Sequence, residues 1–271
     1  MTRTRTFSPL VIAVLIGIGC GSSKPQDAAA KANRSTPSES APIRLAEAPA
    51  SSQPAAATGG SATVTVTVKL DGQAPKRETV KMGADPVCAQ QHTSPVFAED
   101  VVVNEQGMLQ NVFVYAKEGV KGAYPPSTQP VVLDQSGCWY KPHVLALQAG
   151  QPLEIVNSDA TLHNVNAKPT VNQPFNVAQP KQGMKTTKSF AKAEVGIKFK
   201  CNVHPWMNAY AGVVEHPFFG VTDQSGATSI KGLPAGTYVF EAWHEKYGTQ
   251  TQTVTVADGE TKSVTFAFKA Q

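Results

Sequence analysis

From residue 60 onward the chain alternates. Thr63-Val64-Thr65-Val66-Thr67-Val68-Lys69-Leu70 sets a polar side chain against an apolar one at every second position. That period puts one side of a strand on a core and the other in water. The same rhythm returns at 112–116, 144–147, 153–156, 238–243, 254–256 and 264–268. Asp71-Gly72, Asp223-Gln224-Ser225-Gly226 and Pro234-Ala235-Gly236 punctuate these runs with residues that favour turns. Helical periodicity is almost absent, so the pattern predicts an all-β fold built as a sandwich.

One predicted strand carries chemistry. In Val195-Gly196-Ile197-Lys198-Phe199-Lys200-Cys201 strict alternation puts residues 195, 197 and 199 on one face with Cys201, leaving Lys198 and Lys200 on the other. Cys201 then points to the core side at the end of the strand. Asn202 to Met207 fold back over that end, with Pro205 restricting the turn, so His204 and Met207 curl around a point near the sulfur. His163, in Thr161-Leu162-His163-Asn164-Val165, follows an apolar strand that closes at Asn157-Ser158-Asp159 and is expected on a loop. Two antiparallel strands ending at one pole bring it opposite Cys201.

The resulting set is one thiolate, two imidazoles and one thioether. A thiolate and two imidazoles with a weak thioether suit the trigonal sites of blue copper. Zinc prefers four comparably strong ligands, and iron–sulfur clusters need more cysteines than the three that remain if Cys20 is lipidated.

On these residues the sequence resembles the cupredoxins. The C-x2-H-x2-M loop before a strand, with His-Asn-Val at 163–165, is most similar to amicyanin-like and plastocyanin-like blue copper proteins over residues 128–216. The resemblance implies a Greek-key sandwich holding one type 1 copper, with His163, Cys201 and His204 as equatorial ligands and Met207 as the axial one. It also implies that Asn164 and Pro205 brace the ligand loops, and that the protein is not an enzyme but passes single electrons between redox partners such as a cytochrome or dehydrogenase. Trp206 inside the ligand loop departs from the pattern, as do the long additions on both sides. A copper-delivery module without redox turnover, or a structural envelope β-sandwich, are the alternative readings. A nitrite reductase type of enzyme would need a second, all-histidine copper site, and the remaining histidines are scattered.

Residues 217–271 resemble a carboxypeptidase regulatory-like, or transthyretin-like, module through Val221-Thr222-Asp223, Gly226 and the run from Gly232 to Tyr238. The first strands of such a module are missing there. The segment 61–127 either supplies them, which makes the cupredoxin-like part an insertion into a split second sandwich, or belongs to a separate module in sequence.

Four cysteines set the redox arithmetic. Arg3 and Arg5 precede an apolar run from Phe7 to Gly19, too short to span a bilayer but right for an export signal. Gly17-Ile18-Gly19-Cys20 resembles a lipoprotein signal, with Gly17 where a leucine is usual, so residues 1–20 read as a signal with Cys20 as the lipidated residue. An ordinary secretory signal is the alternative. If Cys20 carries lipid, three cysteines remain in an oxidising compartment, and Cys201 has neighbours that give a free thiol a use, so Cys88 and Cys138 are expected to pair. Residues 21–60 contain 11 Ala, 7 Ser and 5 Pro and read as a disordered tether. The protein is thus expected in the bacterial envelope, on the periplasmic side, anchored to the outer membrane, or otherwise periplasmic or secreted.

The net charge is +4, too weak to suggest nucleic acid. Six lysines from Lys181 to Lys200 read as a solvated strand face. His143 is expected to be structural and is the main rival to His163; His92, four residues past Cys88, is a weak metal pair without partners; His216 and His244 are read as structural.

Overall fold

A computed structural model describes residues 59–270. The expected signal segment, the lipidation site Cys20 and all but the end of the tether lie outside the described residues. The strands are β1 (Ala62–Asp71), β2 (Phe113–Glu118), β3 (Val131–Gln135), β4 (Tyr140–Lys141), β5 (Val144–Gln148), β6 (Leu153–Asn157), β7 (His163–Lys168) and β8 (Phe175–Gln179). They continue with β9 (Lys185–Lys188), β10 (Glu194–Lys200), β11 (Asn208–Val214), β12 (Phe219–Val221), β13 (Ala227–Leu233), β14 (Gly236–His244), β15 (Gly248–Val256) and β16 (Thr261–Lys269). Among the described residues one short helix, α1 (Pro86–Gln90), interrupts them. The fold is all-β, as the alternation requires.

The strands form two sandwiches. In the outer one, the sheet β13-β1-β16 faces the sheet β12-β2-β14-β15 across a core that includes Val64, Val66, Val68, Val114, Phe240 and Phe266. In the inner one, the sheet β5-β11-β10-β7-β8 faces β4-β3-β6-β9 across Leu133, Tyr140, Ile155, Val165, Phe199 and Met207. β1 runs parallel to β16 and antiparallel to β13, while β2 lies between β12 and β14. The chain therefore leaves the outer sandwich after β2, builds the inner one, and returns at β12.

A third apolar cluster, Phe113, Val144 and Val214 with Tyr210, Val195 and Trp243 packed on it, joins β2 and β14 of the outer sandwich to the inner sheet of β5, β10 and β11. Gly212 makes that approach possible, because a Cβ there would sit 2.4 Å from the Phe113 ring. Val195 belongs to this joint and not to the inner core with Ile197, Phe199 and Cys201. The register of β10 shifts between Val195 and Ile197, where Gly196 has φ 81°. An inserted residue of this kind reverses which face the preceding side chain takes, so the shared face expected for 195 extends only over 197, 199 and 201.

The connection from β1 to β2 serves both sandwiches. Val101 and Leu109 are buried in the outer core, Met82 and Cys88 in the inner one. Asp85 caps α1 by accepting from the Val87 and Cys88 N–H groups at 2.8 and 3.4 Å. This strap crosses the pole of the inner sandwich where the candidate ligands lie.

Candidate metal centre

Cys201 stands one residue beyond β10, and its loop is closed by the backbone. Cys201 N–H donates to the Met207 carbonyl at 3.1 Å, Met207 N–H donates to His204 at 2.9 Å, and His204 N–H points at Cys201 Sγ at 3.4 Å. His163 is the first residue of β7 rather than part of a loop. Because β7 pairs antiparallel with β10, with Asn166 opposite Lys200, the start of one strand lies beside the end of the other. The ladder thus holds His163 rigidly where a loop position was expected.

These elements bring three donors together. His163 Nδ1 lies 3.0 Å from His204 Nδ1, and Cys201 Sγ lies 3.8 Å from the same His204 nitrogen. All three donor atoms fall within 4.8 Å of one another. His163, Cys201, His204 and Met207 are only 0%, 3%, 2% and 0% exposed. Met207, at the foot of the loop, packs in the inner core.

The outer edges of both rings are occupied. His163 Nε2 lies 2.8 Å from Asp159 Oδ2, and His204 Nε2 lies 3.0 Å from Asp85 Oδ2. An ionised carboxylate can only accept, so each Nε2 carries a hydrogen and, in a neutral ring, Nδ1 is a bare lone pair. Two such lone pairs 3.0 Å apart beside a sulfur repel each other unless a cation or a proton sits among them. The donors are imidazole and thiolate, which suit copper.

The titration behaviour follows the same charges. Burial pushes the Cys201 thiol up, but hydrogen bonds from His163 and from neighbouring backbone outweigh it and bring it down to about 6. Burial pulls His163 down, but Asp159 and Cys201 outweigh that and raise it to about 8. Without metal, a proton on His163 therefore fills the gap beside a thiolate.

Asn164 ties the two ligand segments. Its Oδ1 accepts the Asn202 N–H at 2.7 Å and lies 3.4 Å from Cys201 Sγ, while its Nδ2 donates to Asn176 at 2.7 Å. Pro205 is exposed and, with Trp206, lines an open cavity of about 570 Å³. The Trp206 ring lies 5.2 Å from that of His204, and its indole N–H donates to the Cys138 carbonyl at 3.1 Å. Cys88 and Cys138 form a disulfide of 2.03 Å, leaving Cys201 as the free cysteine among the described residues.

The other histidines stand elsewhere. His143 pairs with Glu245, and His92 meets the Gly137 carbonyl at 2.7 Å. His216 meets the Ala116 carbonyl at 2.8 Å, and His244 is buried in the outer sandwich. The lysine run is partly engaged: Lys185 pairs with Glu154 at 2.9 Å, and Lys198 lies over the Tyr210 ring at 5.5 Å.

Asp85 and Asp159 escaped the sequence reading. Asp159 lies four residues before His163, a spacing visible in the sequence but carrying no meaning until the strand begins at 163. Asp85 caps α1, and nothing in the sequence links it to a histidine 119 positions away.

No family model matches the chain, and no curated protein matches it. Among solved structures, a copper-containing nitrite reductase from Thermus scotoductus SA-01 aligns at 25% identity and TM-score 0.28, covering 37% of this chain and 25% of that one. A mutant of amicyanin in its Cu(I) form aligns at 23% identity and TM-score 0.28, covering 36% of this chain and 89% of the amicyanin. A purple cupredoxin from Nitrosopumilus maritimus aligns at 20% identity and TM-score 0.27, covering 31% of this chain and 97% of that one. The chain thus spans only a quarter of the nitrite reductase. Likeness of this degree leaves the case for a metal centre on the donor geometry.

Proposed function

We propose that this chain is an exported, lipid-anchored copper protein that carries single electrons between redox partners. The observation that carries the reading is the pair of inward Nδ1 atoms, 3.0 Å apart beside Cys201, with both outer nitrogens already committed to carboxylates. His163, Cys201 and His204 would hold the ion, with Met207 as a weak fourth ligand. Copper bound there supplies one-electron exchange between Cu(II) and Cu(I).

The protein's own groups do the rest. The β7–β10 ladder and the closed 201–207 loop fix the donors, so little need move when the charge changes. Burial of all four side chains keeps water out. Asn164 holds the two ligand segments at a constant spacing. Lipidation of Cys20 would place the site at the periplasmic face of a membrane, and a protein such as a cytochrome or dehydrogenase would be the partner. The weak net charge supports no role with nucleic acid.

One observation favours a second reading, a copper-holding or delivery module without turnover. His204 is only 2% exposed and its outer edge is covered by Asp85, which closes the direct path from ligand to solvent. Electron self-exchange, measured by line broadening in mixtures of oxidised and reduced protein, separates the two: fast exchange supports the carrier, slow exchange the holder.

The decisive experiment is to add Cu(II) to the purified mature protein. An intense visible thiolate-to-copper absorption is expected, and Cys201→Ser should abolish it. A wild-type protein that stays colourless refutes the carrier, and one that also fails to bind Cu(I) refutes the holder.

A further inference from the structure

Each half of the Cys88–Cys138 disulfide touches one of the two carboxylates behind the metal donors. The Cys88 N–H points at Asp85 Oδ1 at 3.4 Å, and the same turn donates Val87 N–H at 2.8 Å. The Cys138 N–H donates to Asp159 Oδ2 at 2.7 Å, and Gly137 N–H donates to Asp159 Oδ1 at 2.8 Å. Asp85 in turn meets His204 and Asp159 meets His163. Cys88 Sγ also lies 3.6 Å from His204 Nε2. One covalent bond thus yokes the two turns that orient the two imidazoles.

We propose that this disulfide sets the affinity of the metal centre, acting through Asp85 and Asp159 as positioning residues. The inference rests on the reading of His163, Cys201 and His204 as metal ligands. The asymmetry between the turns gives the mechanism. Asp159 lies inside the inner sandwich, in the turn between β6 and β7, whose strands pair with β3 and with β8 and β10. Asp85 rides on the strap, whose helix is five residues long and whose half-cystine is, with Met82, a buried anchor on the inner core. Thr161 Oγ1 adds a tie to Asp85 Oδ2 at 3.0 Å, and His92 ties the strap to the Gly137 carbonyl at 2.7 Å.

Opening the bond takes two electrons and two protons. A dithiol reductant delivers both hydrogens to the sulfurs and itself closes to a disulfide. The strap then loses its covalent anchor, Asp85 leaves His204, and the His204 ring is free to turn its Nδ1 away. The centre therefore holds metal tightly in an oxidising compartment and loosely in a reducing one.

The test uses chelator competition with Zn(II) and, separately, Cu(II) on the full mature chain. Wild type is compared with Asp85→Asn, Asp85→Glu, Cys88→Ser/Cys138→Ser, and Asp85→Asn combined with the serine pair. Loss of an outer carboxylate partner typically costs about 10–100-fold in metal affinity, and that loss is expected for Asp85→Asn and for the serine pair alike, with partial rescue in Asp85→Glu. Because both act on one contact, the combined variant should be scarcely weaker than either alone. Reduction of wild type by a phosphine, read with Zn(II), should match the serine pair, and in Asp85→Asn should add little; this arm decides the matter if the serine pair does not fold. Additive losses, or unchanged affinity in the serine pair or after reduction, overturn the proposal. So does tighter Zn(II) binding after reduction, which would make the freed Cys88 a ligand. A wild type that binds neither metal sinks the metal centre itself, a different result from wild type binding with an indifferent disulfide.

Discussion

His244 gives this protein an acid-sensitive core whose size and pH window follow from its surroundings. The ring is 1% exposed in the outer sandwich, stacked on Tyr247 at 5.0 Å and close to Phe268 at 6.2 Å. Its Nδ1 accepts the Lys246 N–H at 3.2 Å, which commits the ring to the neutral Nε2–H form. Burial lowers its pKa from 6.5 to about 4, against a smaller upward pull from Glu245. The folded state therefore binds this proton less readily than the unfolded one, so stability is complete above the unfolded pKa of 6.5 and falls with pH down to about 4. Each pKa unit is about 1.4 kcal/mol, so the full loss is about 3 kcal/mol. His244→Phe keeps the aromatic stack but deletes the acceptor for Lys246, a cost of about 1 kcal/mol at every pH. The two stability curves should then cross near pH 6, where the wild type has lost that same amount (about 1 kcal/mol by linkage). Urea unfolding of metal-free, disulfide-intact protein from pH 4 to 8 measures both. The difference between the curves cancels the carboxylates and His163, which titrate in both proteins. Parallel curves would refute the reasoning, because a ring that charges without cost is not buried as described.

Three further outcomes are expected. Met207→Leu should keep the copper colour and raise the reduction potential in cyclic voltammetry, since it removes a donor that favours Cu(II); a lowered potential means Met207 is not the axial ligand. His163→Gly should open the centre and change its spectrum on adding imidazole, whereas His143→Gly should leave it intact, because His143 is paired with Glu245 away from the donor cluster; the reverse result exchanges their roles. Gly212→Val places atoms where the Phe113 ring already sits 2.4 Å from a Cβ, and such overpacking costs about 1–3 kcal/mol; an unchanged unfolding midpoint would mean the sandwiches do not meet there.

The sequence was most legible where the side-chain period is unbroken. β1 reads directly from the Thr-Val repeat because every second residue is buried in one core. The ligand loop was legible for a local reason: three donors within seven residues can only converge on a small volume. What the sequence hid was set by tertiary geometry. Val195 reads as a core residue until a glycine of positive φ shifts the register and hands it to the joint with Trp243. β8 was not anticipated, since Phe175–Gln179 is a short, partly exposed edge strand. Asp85 was out of reach because its partner is chosen by where the strap crosses, and no local pattern encodes that.

The crossing follows from where the strap buries its apolar residues. The chain between β1 and β2 buries Val101 and Leu109 in the outer core and Met82 and Cys88 in the inner one, so it passes both sandwiches. A connection of that length costs little more to close than a short one, since loop entropy grows only logarithmically with length. It does need something to hold it down, and its sequence offers few large apolar residues between 83 and 95. The disulfide supplies that anchor, and it does so beside the ligand pole because Cys138 sits in the turn that also cradles Asp159. The strap lies between β1 and β2, the disulfide tethers it to the inner sandwich, and the tether holds Asp85 beside His204. Replacing the strap by a short linker would therefore expose the His204 edge, so its effect on self-exchange links the architecture to the choice between carrier and holder.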